Sequence, residues 1–360
     1  MAGEPDTVEG WMHLGNEVKE RGDLRRAIMC YVKAVEMEPN NVNIHNILAL
    51  AFLEDGAIDQ AAKAFNNVLK LDPENVMALT NLGVVLHRMG RVEEAIEAFA
   101  KALNSEPGHA EALNNLAVII ADKGDIDKAI DMLKGAVKAD PKYVEGWYNL
   151  AVFLERKGAL QDAEQAARKA ISLDHDNVKA QYILGVVLSD MGRTDPAIEA
   201  FTQVLKQAPE MGRAWYKLGI LQSRRERHEE AIGCYDRALR YDPNDADAWI
   251  NLGAAYHLNH LYDKAIDSYI KAINLRPDLH EAWFNKGTAY LAKGHEDKAI
   301  EDFKRALSIK PDYVDALVNL GVVLRRRGNI DQARALFLKA LDIQPDNEQA
   351  NRNIMELEGS

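Results

Sequence analysis

Apolar residues along this chain recur at three- and four-residue intervals, in blocks separated by short polar breaks. In the stretch from Ala246 to Asp278, Trp249, Leu252, Gly253 and Tyr256 fall on one face of a 3.6-residue helix. Ala265, Tyr269 and Ala272 repeat that face on a second helix, and Pro277 closes the unit because proline cannot extend it. The pattern predicts a helix–turn–helix hairpin. The same hairpin returns every 34 residues, with starts at Val8, Val42, Val76, Ala110, Val144, Val178, Gly212, Ala246, His280 and Val314, and the tenth ends at Asn347. Residues 1–7 are expected to be a disordered leader and residues 348–360 a capping helix and tail. The prediction is twenty full helices, one terminal helix and no strand.

Numbering each repeat from its own first residue exposes the register. Position 20 is Ala in all ten repeats, from Ala27 to Ala333, and position 32 is Pro in nine, His175 being the exception. All five tryptophans (Trp11, Trp147, Trp215, Trp249 and Trp283) stand at position 4, and position 8 is only Gly or Ala. Small residues at 8 and 20 let the two helices of a hairpin approach closely. The bulky residue at 4 and the aromatic at 24 are expected to fill the space between repeats. Position 15 is Gly in eight repeats, suited to a left-handed residue after the first helix. Glu226 and His260 replace it in the seventh and eighth, at a cost of about 1–2 kcal/mol each if the backbone stays left-handed.

These spacings resemble the tetratricopeptide (TPR) signature, and the resemblance spans residues 8–347. It implies an all-α fold: an α-solenoid of ten helix–turn–helix units wound into a right-handed superhelix, with a C-terminal capping helix. The repeats are also similar to those of stand-alone prokaryotic TPR proteins. The implied role is protein–protein interaction.

Length and charge narrow the reading. A single core rarely grows past about 250–300 residues, but a repeat array of 360 escapes that limit because each unit packs on its neighbours. A formal charge of -12 and a pI near 5.4 argue against a dedicated nucleic-acid binder. Met1 to Gly10 has neither a basic n-region nor an apolar core, so no signal peptide is expected. The longest apolar run, Ile47 to Leu53, falls far short of the ~20 residues of a membrane span. No membrane insertion and a cytoplasmic location are therefore expected. Cys30 and Cys234 occupy the same place in distant repeats and are expected to be reduced and buried.

Positions 4, 7, 8 and 11 of the first helix share a face that must pack, which leaves positions 2, 5, 6, 9, 12 and 13 opposite. In TPR proteins that second face lines the concave groove. Position 6 is Asn at Asn81, Asn115, Asn149, Asn251, Asn285, Asn319 and Asn353. This resembles the asparagine ladder of O-linked N-acetylglucosamine transferases, where such residues hold the backbone of an extended peptide. The chemistry suits the task, because a carboxamide offers both a donor and an acceptor to any peptide unit. The series Asn251–Asn285–Asn319–Asn353 is the longest unbroken run. His13, Ile47, Ile183 and Lys217 interrupt the ladder elsewhere. Position 5 adds Tyr148, Tyr182, Tyr216, Ile250 and Phe284, and position 9 is largely aliphatic. Near the gap, Lys179, Arg213, Lys217 and Arg224 offer a site for an acidic side chain or phosphate. Arg213 and Lys217 match one basic pair of the carboxylate clamp of chaperone-binding TPR domains. Tyr148, Val152 and Ile183 stand where its other members belong, so that specificity is not expected.

No catalytic constellation emerges. His257 and His260 are spaced for one helix face but lack a third ligand, so no metal is expected. There is no glycine-rich phosphate loop, no cofactor is implied, and no enzyme activity is expected. The reading is a scaffold that binds a protein or peptide segment in the groove. The alternatives are a self-assembling homo-oligomer and a targeting subunit for an enzyme on another chain.

Overall fold

The computed structural model of the chain describes residues 5–358. These hold twenty-one α-helices and no strand, as the periodicity predicts. The hairpins are α1 (Val8–Glu20) with α2 (Leu24–Met37), α3 (Val42–Glu54) with α4 (Ile58–Leu71), α5 (Val76–Arg88) with α6 (Val92–Ser105), α7 (Ala110–Asp122) with α8 (Ile126–Ala139), and α9 (Val144–Arg156) with α10 (Leu160–Leu173). There follow α11 (Val178–Asp190), α12 (Thr194–Gln207), α13 (Gly212–Arg224), α14 (His228–Tyr241), α15 (Ala246–Leu258), α16 (Tyr262–Leu275), α17 (His280–Ala292), α18 (Glu296–Ile309), α19 (Val314–Arg326), α20 (Ile330–Ile343) and the terminal α21 (Glu348–Glu358). The chain divides inside α11, between Val187 and Leu188, into two compact units. Of the expected leader, residues 1–4 lie outside the described residues. Thr7 caps α1, its hydroxyl accepting from the Gly10 N–H at 3.1 Å. Of the expected tail, residues 359 and 360 lie outside as well.

Each hairpin turns in the same way. The N–H at position 16 donates to the carbonyl at position 11, as Asp23 does to Val18 and Leu261 to Tyr256, and this bond recurs in all ten turns. Together with a left-handed residue at position 15 it defines a Schellman stop. The eight glycines there have φ between 73° and 96°, while Glu226 and His260 are held at 59° and 60°. The expected cost at these two positions is therefore real. After each second helix, the N–H at position 34 donates to the carbonyl at position 31, closing a β-turn in which proline sits where its fixed φ fits. His175 occupies that place in one repeat and the turn still closes, Asn177 to Asp174 at 3.2 Å.

The aromatic at position 24 packs within its own repeat as well as toward the next one, as Tyr235 does with Leu252 and Phe303 with Leu320. A Cβ added to Gly15, Gly83, Gly219, Gly253, Gly287 or Gly321 would come within 2.5–2.8 Å of Tyr31, Phe99, Tyr235, Tyr269, Phe303 or Phe337 respectively. These six rings are almost fully buried. Where position 8 is Ala117 or Ala151, position 24 is the smaller Leu133 or Ala167. Ala49 with Phe65 is the exception.

Position 4 joins repeats by a bond the sequence pattern conceals. Its side-chain N–H reaches back six residues to the carbonyl of position 32 in the preceding repeat. Trp147, Trp215, Trp249 and Trp283 donate to Pro141, Pro209, Pro243 and Pro277 at 2.8–3.1 Å. Gln181 donates to His175 and Asn351 to Pro345, and the His45 ring nitrogen meets the Pro39 carbonyl. Four residue types share one role because each carries a ring or amide nitrogen at the right reach.

One repeat departs from the apolar core. Position 7 is Leu in nine repeats and Lys286 in the ninth. Lys286 Nζ lies 3.0 Å from Asp302 Oδ1 and 4.2 Å from the Trp283 ring centroid, and both charged side chains are largely buried. The second carboxylate oxygen of Asp302 is buried without a partner. Burial pushes the Asp302 carboxyl up to about 6, against the pull of Lys286.

Native-state hydrogen exchange should show α13–α14 opening more readily than α5–α6, and Glu226→Gly should raise stability by about 1 kcal/mol; equal protection with no gain would contradict the strain argument. Asp302→Ala should cost about 3–5 kcal/mol by stranding Lys286, whereas Lys286→Leu with Asp302→Ala should recover most of it. The pH dependence has a definite sign. Because the folded pKa is raised, this carboxyl's contribution is full below about pH 4 and fades as pH rises through about 6. Lys286→Leu alone should therefore destabilise more at pH 7.5 than at pH 5, measured by urea unfolding.

Candidate functional site

The face left over by packing is formed by helices of odd number, the first helix of each repeat. In the first unit it encloses a cavity of about 330 Å³, lined by Val84, His87, Arg88, Phe99, Asn114, Asn115, Val118, Glu145, Tyr148, Asn149 and Lys179. Tyr148 and Lys179, with Glu145, also border a second cavity of about 460 Å³ that continues to Asp174, Asp176 and Asn177. Asn115, Asn149, Tyr148 and Lys179 are thus brought together. Asn81, on α5, stands outside the lining, and its amide donates to the Met77 carbonyl of its own helix at 3.0 Å.

The cavity floor is an amide network. Asn149 Nδ2 donates to Asn114 Oδ1 at 2.8 Å, and Asn114 Nδ2 lies 3.4 Å from Asn115 Oδ1. Asn114 is only 1% exposed, so this network is built in rather than draped on the surface. The Asn115 amide N–H groups and the Asn149 carbonyl oxygen take no part in these two bonds, and both residues line the cavity and are partly exposed. One donor and one acceptor side by side match the needs of a peptide unit.

In the second unit Asn251 Nδ2 donates to the Tyr216 hydroxyl at 3.0 Å, again from position 6 to position 5 of the preceding repeat. Burial, then Asp245 and Asp247, raise the Tyr216 pKa, and the Asn251 bond opposes them. Asn319 and Asn353 donate to carbonyls of their own helices, those of Asp315 and Gln349. Asn285 is partly exposed, whereas Asn353 is buried against the chain end. Phe284 packs on Phe303 at 5.7 Å and on Tyr313 at 5.1 Å, centroid to centroid. Tyr182 is half-buried in the first unit.

Position 5 is therefore a border and not a free surface. Asn46, Thr80, Asn114 and Val318 are buried there. A helical wheel treats each helix as isolated, but successive odd-numbered helices touch: α5 with α7, α7 with α9, α13 with α15, α15 with α17. Of the basic residues, Lys179 belongs to the first unit and Arg213, Lys217 and Arg224 to the second. Lys217 is half-buried, and Arg224 partly offsets the burial that pushes Tyr235 up to about 12. Sequence reasoning passed over His87, Arg88, Asn114 and Glu145. All four were available in it, at positions 12, 13, 5 and 2 of the face already identified.

The remaining candidates are quiet. Cys30 and Cys234 are free and buried. His257 and His260 pack against Tyr262, and among the described residues no group of three or more His, Cys, Asp or Glu is arranged to hold a metal. No helix among them is long and apolar enough to cross a membrane.

With a hairpin repeated ten times and a cavity on its leftover face, the molecule is a helical-repeat protein. Comparison with protein families specifies which kind. Models of the tetratricopeptide repeat match residues 182–233, 223–259, 246–279 and 284–348, and a model of the cilia and flagella-associated protein 70 C-terminal domain matches residues 2–180. The chain belongs to the tetratricopeptide repeat family. Solved structures agree on the fold. The C-terminal part of a TPR repeat-containing protein from Cytophaga hutchinsonii aligns with TM-score 0.56 at 17% identity, over 66% of this chain and 97% of its own. Cut9, in the APC/C hetero-tetramer Cut9-Hcn1, gives 0.53 at 14%, over 97% and 76%. A tetratricopeptide repeat protein from Parabacteroides merdae gives 0.51 at 20%, over 70% and 99%. No curated protein matches the chain.

Removing Asn149 should strand the buried Asn114 oxygen. Asn149→Ala should therefore cost about 1–3 kcal/mol of stability in urea unfolding. Asn319→Ala, which frees only a bond to its own helix, should stay within about 0.5 kcal/mol of the parent. Equal losses would mean the network is not what holds Asn114.

Proposed function

We propose that the chain is a protein-interaction scaffold that holds an extended segment of a partner protein along the odd-numbered helices. The observation that carries this reading is the amide network of Asn114, Asn115 and Asn149 on the floor of the first unit's cavity. Its donor and acceptor pair with a peptide backbone whatever the side chains, while Val84, Val118 and Tyr148 offer apolar contact to those side chains. The second unit contributes Asn251, Asn285 and Asn319 in the same register. Specificity then comes from groups around the amides, and the scaffold itself performs no chemistry.

The test is a peptide-library selection on the full chain, followed by affinity measurements on variants. Each net hydrogen bond is worth about 0.5–1.5 kcal/mol, so Asn251→Ala, Asn285→Ala and Asn319→Ala combined should weaken peptides seated in the second unit by roughly 1–5 kcal/mol. Asn115→Ala should do the same, by about one bond's worth, for peptides seated in the first. Because Asn115 and Asn251 also hold bonds to Asn114 and Tyr216, these variants should lose some stability, and affinities are compared well below each variant's melting temperature. Selected peptides that bind all these variants with parental affinity would place recognition elsewhere on the molecule.

A further inference from the structure

The first unit's cavity is charged against the grain of the chain. The sequence carries 56 Asp and Glu against 44 Lys and Arg. Around the amide floor, however, stand Arg88, Lys179 and His87, faced by a single carboxylate, Glu145. Among the described residues, none of these four side chains forms an ion pair or a hydrogen bond. The contrast with the hairpin turns is sharp. There, cations at position 14 are matched to carboxylates of the preceding repeat: Lys123 to Glu93, Lys157 to Asp127, Lys293 to Asp263 and Arg327 to Asp297.

The two fixed cations also sit at different ends of their helices. Arg88 is the last residue of α5 and Lys179 the second residue of α11, so they reach the cavity from opposite ends of the odd-numbered helices. A cation at a helix C-terminus satisfies that end's partial negative charge, but one at an N-terminus opposes the local dipole. Lys179 lacks that local support from its helix; it stands between the first cavity and the second, where Asp174 and Asp176 lie. Val118, the half-buried Tyr148, Asn115 and Asn149 share the lining with the two cations.

We infer that the first unit's cavity takes an acidic peptide segment: an extended stretch whose backbone lies on Asn115 and Asn149, with Asp or Glu side chains reaching Arg88 and Lys179 and an apolar side chain against Val118 and Tyr148. This rests on the backbone-binding reading above and adds the identity of the side chains. Ion pairs formed inside a partly enclosed cavity are screened less than those on an open face, so charge there can select among segments that the amides alone would treat alike.

The test uses the full chain and a displayed library of random ten-residue peptides. Peptides whose binding weakens on Asn115→Ala are taken as seated in this cavity. They should be enriched in Asp and Glu, should bind Arg88→Glu/Lys179→Glu at least tenfold more weakly, and should weaken as salt rises. The same double variant should bind lysine-containing versions of those peptides more tightly than the parent does. Both residues are exposed, so the melting temperature should not move. Peptides that depend on Asn115 yet show no acidic bias, or that ignore the charge reversal, would overturn this inference and leave the backbone reading standing. If no enriched peptide depends on Asn115, the backbone reading fails for this cavity and the inference falls with it.

Discussion

The contact on which most of the hairpins depend is an aromatic ring lying against a helix backbone that carries no Cβ. Glycine in mid-helix costs about 0.5–1 kcal/mol relative to alanine. Burying a large ring returns about 1.5–3 kcal/mol, and the ring reaches full burial only because the opposing helix presents bare backbone. The pairing is reciprocal. Ala117 and Ala151 take the glycine's place in repeats whose position 24 is Leu133 or Ala167. Close approach at this one level sets the distance between the helices of a hairpin.

The other repeated features follow from that distance. The turn must be short, which requires a left-handed residue even where Glu226 and His260 stand in for glycine. The return turn places a carbonyl at position 32 within reach of position 4 of the next repeat. Trp, Gln, Asn and His all use it. One face of each helix is consumed in this way. What remains is the opposite face of the first helix, where side chains answer to other constraints. The amide network linking Asn149 to Asn114, and the Asn251 bond to Tyr216, show the same two positions tying neighbouring repeats at their floor. In the first unit the result is a cavity lined by these amides.

The helices and their count were legible in the sequence because a strict 34-residue frame repeats the same steric demands ten times. Single-repeat departures were not. Lys286 and Asp302 look like two ordinary surface charges until the fold puts them together inside a leucine layer. The position 4 bond was hidden because its members share geometry and not residue type. On the candidate face, Asn115, Asn149, Tyr148 and Lys179 were visible from periodicity. Asn114, Arg88 and Glu145 were not singled out, since their relevance depends on which repeats lie side by side. The burial of position 5 has the same origin: a wheel of one helix cannot represent its neighbour.

The central claim is that each odd-numbered helix divides its surface between a packing face and a binding face. It can be tested most directly by placing a nitroxide spin label on a peptide selected by the full chain and recording paramagnetic broadening in its NMR spectrum. The account predicts broadening at positions 2, 5, 6, 9, 12 and 13 of the odd-numbered helices, centred on Asn115 and Asn149 or on Asn251 and Asn285. Broadening confined to the exposed sides of the even-numbered helices would contradict it.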